Sequence, residues 1–266
     1  MCTVIQTTGK SVMRIKGVLK RDTQGSVAAF RSNLLLAVVS VIGIVPLQAH
    51  ATDSPDNPTS MAPVAQYMMD KTAEIALARS AAPKEISDNA TIMTLGKDGY
   101  ETTVKGGNGF TCLVFRSWGN DFDAPDFWDP RDLTPQCWNA AAVSWLPEFV
   151  ERTKWVLAGV SKDEMVARTK QAWASHEYSL PRTGSVAYMM SKDQCIHAPP
   201  PCNWYPHIMW FLATADPRQQ WGQDLHGVPV YSGVSKTDPV TTLMVVVPKW
   251  SDGTAGPYAP PAEHKH

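Results

Sequence analysis

Residues 91–117 limit the fold of this chain more than any other stretch. They hold three short runs rich in β-branched and aromatic residues, at 91–95, 100–105 and 110–117. Asp98-Gly99 separates the first two runs and Gly106-Gly107-Asn108-Gly109 the last two. Those residues tolerate the positive φ of tight turns, so the stretch predicts a three-stranded antiparallel meander. Further strand patterns fall at 186–190, 208–213 and 242–247. Pro63 suits the first turn of a helix running to about Ser80, and Pro83 ends it. Leu146, Phe149, Val150, Thr153, Val156 and Leu157 share one helical face, and Gly159 fits its stop. Ser161 and Glu164 form a capping box that opens another helix, lined on one side by Met165, Thr169, Ala172, Trp173 and His176. Strands, then helices, then strands predict an α+β domain over 61–255. Its antiparallel sheet would have about six strands, with helices packed on one face.

What precedes that domain reads as an address. Residues 34–45 are almost wholly apolar; they follow a basic stretch and precede Pro46, and Ala49 and Ala51 give a small-x-small cleavage pattern. Basic, apolar, then small is the order of a secretory signal, assigned here to 1–51, with translation starting at Met1 or Met13. The apolar run is shorter than the ~20 residues a bilayer span needs. An uncleaved N-terminal anchor is the alternative. The expected product is a periplasmic or secreted chain with a flexible leader at 52–60, a Pro-rich tail at 256–266 and no membrane span. Six of the 24 bases and one of the 25 acids lie in 1–51, which leaves an acidic body. Such a body is a poor partner for phosphate backbones, so nucleic-acid binding is not expected.

Cysteine usage agrees with export. Cys112, Cys137, Cys195 and Cys202 remain beyond the signal, an even number in an oxidising compartment. Of three possible pairings, Cys112–Cys137 with Cys195–Cys202 is favoured. No C-x-x-C is present, which weakens a structural zinc site.

Several kinds of chemistry lose their first requirement. The chain has no G-x-S-x-G, no H-E-x-x-H, no phosphate-binding glycine loop and no haem-attachment motif. The densest polar group is Asp121, Asp123, Asp126, Asp129 and Asp132. Clustered aspartates and loop carbonyls suit Ca²⁺, so Asp121, Asp123 and Asp126 are candidate ligands, although the spacing is not that of an EF-hand. Turn chemistry, with Arg116 and Arg131 as ion-pair partners, explains the same residues without a metal. His207, at the mouth of a strand, is the candidate general base. All ten tryptophans lie between Trp118 and Trp250. Trp118, Trp128 and Trp204 are loop candidates for stacking on a sugar or a small cationic ligand; wedging the loops against the sheet is the alternative. Glu101 and Arg116, on neighbouring predicted strands, suggest a cross-strand ion pair.

Short motifs across the body carry a resemblance. Met61-Ala62-Pro63, the stretch from Leu77 to Pro83, Gly99-Tyr100-Glu101-Thr102, Arg116-Ser117-Trp118, Pro206-His207 and the stretch from Trp250 to Thr254 are similar to a group of exported bacterial proteins without an established activity. The resemblance implies export and no mechanism. Members of that group often read His-Trp-His-Pro-His where this chain has Asn203-Trp204-Tyr205-Pro206-His207. Two histidines of that cluster are thus absent here, which argues against metal chemistry at His207. Three readings follow: a hydrolase of small esters, lactones or amides, assisted by Ca²⁺ and His207; a non-catalytic module for a sugar or small cation; or a structural envelope protein.

Overall fold

The computed structural model describes residues 58–196, 204–213 and 230–257. The proposed signal, the leader up to residue 57 and the tail beyond 257 lie outside them. So do His197, Cys202, Asn203 and Trp221. All the described residues belong to one compact unit, Ala51–His266.

A 3-10 turn at Val64–Gln66 precedes helix α1 (Lys71–Arg79) and the short α2 (Lys84–Ser87). The predicted single helix from Pro63 therefore breaks in two. Asp70 caps α1 by accepting from the Ala73 amide at 3.0 Å, a local start stronger than anything at Pro63. Strands β1 (Thr91–Gly96), β2 (Gly99–Val104) and β3 (Thr111–Arg116) follow, then β4 (Leu133–Trp138). Helices α3 (Leu146–Leu157) and α4 (Lys162–Ala174) come next. The Ser161 hydroxyl accepts from the Glu164 amide, as its capping pattern predicts. Strands β5 (Val186–Met189), β6 (His207–Leu212), β7 (Val230–Val234) and β8 (Thr241–Val246) complete the chain.

The α+β class holds, but the sheet is larger than expected and mixed. It has eight strands in the order β2-β1-β3-β4-β5-β6-β8-β7, and β1 pairs with β3 in parallel. The meander is thus corrected: β1 lies between β2 and β3. Gly106 makes this crossover possible. A Cβ there would sit 2.2 Å from the Ala90 carbonyl carbon, so only glycine lets the chain pass over the start of β1. Asn89 holds the loop from below, its backbone carbonyl accepting from the Gly107 and Asn108 amides.

The parallel pairing lasts only from Thr91 to Ile92. Beyond it a buried ion pair stands in for the ladder. The Glu74 carboxylate accepts from the Leu95 amide of β1 at 3.1 Å and from Arg116 Nη2 at 2.9 Å. Arg116 Nη1 and the Tyr100 hydroxyl both donate to the Val114 carbonyl of β3. Arg116 and Glu74 are both buried. This corrects the expected Glu101–Arg116 pair: those strands are not neighbours, and Glu101 pairs with Lys71 instead.

Helices cover both faces of the sheet, not one. Alternation along β3 shows why: Cys112 and Val114 point to a cluster with Ala78, Ala81, Ala82 and Ile92, beneath α1. Leu113 and Phe115 point to the larger cluster with Trp138, Trp145, Leu146 and Met165, beneath α3 and α4. Every residue of β3 is consequently buried. Cys112 and Cys137 occupy facing positions on β3 and β4 and are disulfide-bonded. Cys195 is also disulfide-bonded, and its expected partner, Cys202, lies outside the described residues. No helix among the described residues is long and apolar enough to cross a membrane.

Candidate ligand-binding site

The α3 side of the sheet does not close completely. Between the sheet and α3 lies a cavity of about 360 Å³. Alternating residues of three strands form its floor: Thr134, Gln136 and Trp138 of β4, Met209 and Phe211 of β6, and Thr242 and Met244 of β8. Trp145, Phe149 and Arg152, at and within the start of α3, form its roof. Two loops make the rim. One follows Trp118 and carries Asn120, Asp121 and Ala124; the other joins β7 to β8 and carries Ser235, Asp238 and Val240.

The floor and roof are one aromatic cluster. Trp138 lies 5.6 Å from Trp145 and 4.8 Å from Phe211 between ring centroids, and Trp145 lies 4.9 Å from Phe149. Both indole N–H groups are already engaged. Trp138 Nε1 donates to Gln136 Oε1 at 2.8 Å, and Trp145 Nε1 to Glu148 Oε2 at 2.9 Å. These rings therefore offer a ligand apolar contact and π density, not indole hydrogen bonds.

Behind the roof, Glu148 and Arg152 pair one helical turn apart at 2.7 Å, both buried. Glu148 Oε2 also accepts from Trp173 Nε1. Arg152 Nη1 donates to the Trp118 and Asn120 carbonyls, and the guanidinium stacks 4.2 Å above Phe122. Its Nε, although buried, has no hydrogen-bond partner among the described residues.

Two carboxylates, Asp121 and Asp238, stand at the rim, where the charge of Arg152 reaches both. The Asp238 pKa is pushed up to about 7, chiefly by loss of hydration and then by the charge of Glu148. Hydrogen bonding from Ser235, the charge of Arg152 and the Val240 amide oppose that rise. Loss of hydration also raises the Asp121 pKa, again opposed by Ser235. Asp121 and Ser235 border a second recess of about 210 Å³, where Lys170 and Lys236 stand. Lys236 is ion-paired with Asp123.

Of the site residues the sequence suggests, only Asp121 lines the cavity. Asp121 and Asp123 are exposed, whereas Asp126 is buried and accepts from Asn120 Nδ2. Among the described residues no three His, Cys, Asp or Glu side chains are placed to hold a metal ion. Asp121, Asp123 and Asp126, the expected Ca²⁺ ligands, are therefore not brought together as a ligand set in this structure. Asp132 accepts from the same Asn120 amide, and Asp129 pairs with Arg131, so the cluster is loop architecture. Trp118 and Trp128 are buried rather than displayed: Trp118 Nε1 donates to Thr153, and Trp128 packs edge-on against Phe127. Trp204 is half-buried, away from the cavity, with its ring 4.6 Å from that of His207.

His207 is on the cavity side of β6, past Met209, but it does not line the cavity. Only 1% of its surface is exposed, and Nδ1 lies 2.7 Å from the Tyr205 carbonyl. A carbonyl only accepts, so Nδ1 carries the proton. Burial lowers the His207 pKa to about 4, against the pull of that carbonyl. This is a core histidine rather than a solvent-facing base. The residues that sequence reasoning missed are Ser235, Asp238, Arg152 and Trp145. The stretch from Ser235 to Pro239 reads locally as a turn, and nothing in it announces a cavity. The Glu148–Arg152 spacing was legible only as a helix ion pair.

Comparison with known proteins finds no matching family model, no matching curated protein and no matching solved structure.

Proposed function

We propose that this chain is an exported binding module that holds a small organic molecule in the cavity between its sheet and α3. One observation carries the reading: a recess of about 360 Å³ with an aromatic floor and roof and a rim of carboxylates and hydroxyls. That is the usual composition of a small-molecule site, and the volume lies at the lower end of the usual range. The Cys112–Cys137 bridge supports an oxidising compartment, and the basic-apolar-small order of the first 51 residues supports export to it.

A hydrolytic reading keeps one observation of its own. Asp238 faces the cavity with a pKa of about 7, where a carboxylate serves as general base or acid. Asp238 would replace His207 in that role, acting on an ester, lactone or amide.

Tryptophan fluorescence separates the readings, because Trp138 and Trp145 line the cavity. A panel of small amines, sugars, esters and lactones is titrated, and turnover of the esters and lactones is followed in parallel. Binding without turnover is the expected result, with the response lost in Trp145→Ala. Turnover abolished by Asp238→Asn would favour the hydrolase. No saturable response from any compound would overturn both.

A further inference from the structure

The rim carries a charge imbalance that names a ligand class. Asp121 and Asp238 line the cavity and Glu148 lies behind its roof; among the described residues Arg152 is the one cation in that lining, while Lys170 and Lys236 stand in the second recess beyond Asp121. Arg152 Nη1 and Nη2 are occupied by two backbone carbonyls and Glu148, which leaves its buried Nε without a partner among the described residues. Asp123 and Lys236 cancel each other outside. With both rim aspartates ionised, the lining of the cavity is net negative beside low-dielectric aromatic walls. A ligand cation relieves that charge, and the rings favour it further through their π faces.

We infer that the cavity takes a small organic ammonium, a primary or secondary amine bearing one ring or short apolar chain. Its nitrogen sits on Asp238 and Asp121, and its tail lies against Trp138, Trp145, Phe149 and Phe211. The inference rests on the binding reading above and narrows it. An N–H cation fits better than a quaternary one because both carboxylates are pure acceptors when ionised, and Ser235 can satisfy only one of them at a time. An anion would face two carboxylates. A neutral sugar would leave the charge unrelieved.

Calorimetric titration of the full chain at pH 7.5 tests this with three probes: 2-phenylethylamine, its neutral analogue 2-phenylethanol, and methyl glucoside. The amine is expected to bind at least about tenfold more tightly than the alcohol, as charge-assisted hydrogen bonds provide. Asp238→Asn, which preserves side-chain size, should remove that preference by weakening amine binding about tenfold. Asp121→Asn should reduce it in part. Equal affinity for amine and alcohol, tighter binding of the glucoside, or an amine affinity unaffected by Asp238→Asn would overturn the inference while leaving a binding site in place. No saturable heat from any probe would overturn the inference and the binding reading together.

Discussion

At the scale of single residues, buried His207 and half-buried Asp238 shift stability in opposite senses over nearly the same pH range. The folded pKa of His207, about 4, lies below its ordinary value of 6.5. Between those values the unfolded chain takes up a proton that the folded chain refuses, so stability is lost as pH falls through that window. His207→Asn keeps a donor for the Tyr205 carbonyl without the titration. It should make the loss of stability between pH 6.5 and pH 4 smaller by roughly 2 kcal/mol, as measured by urea unfolding at each pH. Identical pH dependence in variant and parent would contradict this. Asp238 works the other way. Its folded pKa of about 7 lies above the ordinary 3.8, so its contribution is full below that value and fades as pH rises toward 7. Asp238→Asn should match the parent at pH 4 and melt about 3 °C higher at pH 8. A variant that melts lower at pH 8 would place Asp238 in a stabilising contact instead. Neither behaviour was legible in the sequence. A histidine at a strand mouth reads the same whether it faces water or the core, and burial is decided by the strands on either side. Trp118 and Trp128 mislead for that reason: their loop is long, but it folds inward around Phe122 and Phe127.

At the scale of elements, local pattern located six of the eight strands and missed two for identifiable causes. β4 contains Pro135 and follows the aspartate-rich loop, both of which argue against a strand. Pro135 is tolerated opposite Val114 in a strand buried deep in the sheet. β7 is a short run interrupted by Gly233. Pairing order was less legible than strand position. The turn residues at 106–109 suit a hairpin, yet close passage of Gly106 over Ala90 sends the chain across β1 instead of beside β2. The gap this leaves between β1 and β3 is held by Glu74 and Arg116. Glu74→Ala would strand a buried guanidinium and should cost roughly 3–5 kcal/mol. Combining it with Arg116→Met should recover much of that loss, because an apolar side chain carries no desolvation penalty. Denaturant unfolding of both variants checks this. A double variant no more stable than the single one would contradict the account of the pair as a filler of the ladder gap.

At the scale of the whole molecule, the sheet is held from both faces and stapled at its centre. The Cys112–Cys137 bridge closes a separation of 25 residues between two buried strands. Replacing both cysteines with alanine should cost about 3 kcal/mol and lower the melting temperature by roughly 6–12 °C. An unchanged melting temperature would show that the bridge does not form in solution. The α+β class followed from the order of strand and helix patterns, because such patterns are local. The two-sided arrangement of helices did not, because α1 and α3 each show an apolar face without saying which side of the sheet receives it. The cavity was the least legible feature. Its walls come from five separate stretches, none of which carries a motif, and they converge only once β6, β8 and β7 have paired. We propose that this convergence forms a binding site. A crystal structure of the protein grown with saturating 2-phenylethylamine tests it most directly. The ligand ring is expected against Trp138 and Trp145, with its nitrogen in hydrogen-bond reach of Asp238. A ligand bound elsewhere, or a cavity holding only water at saturation, would contradict it.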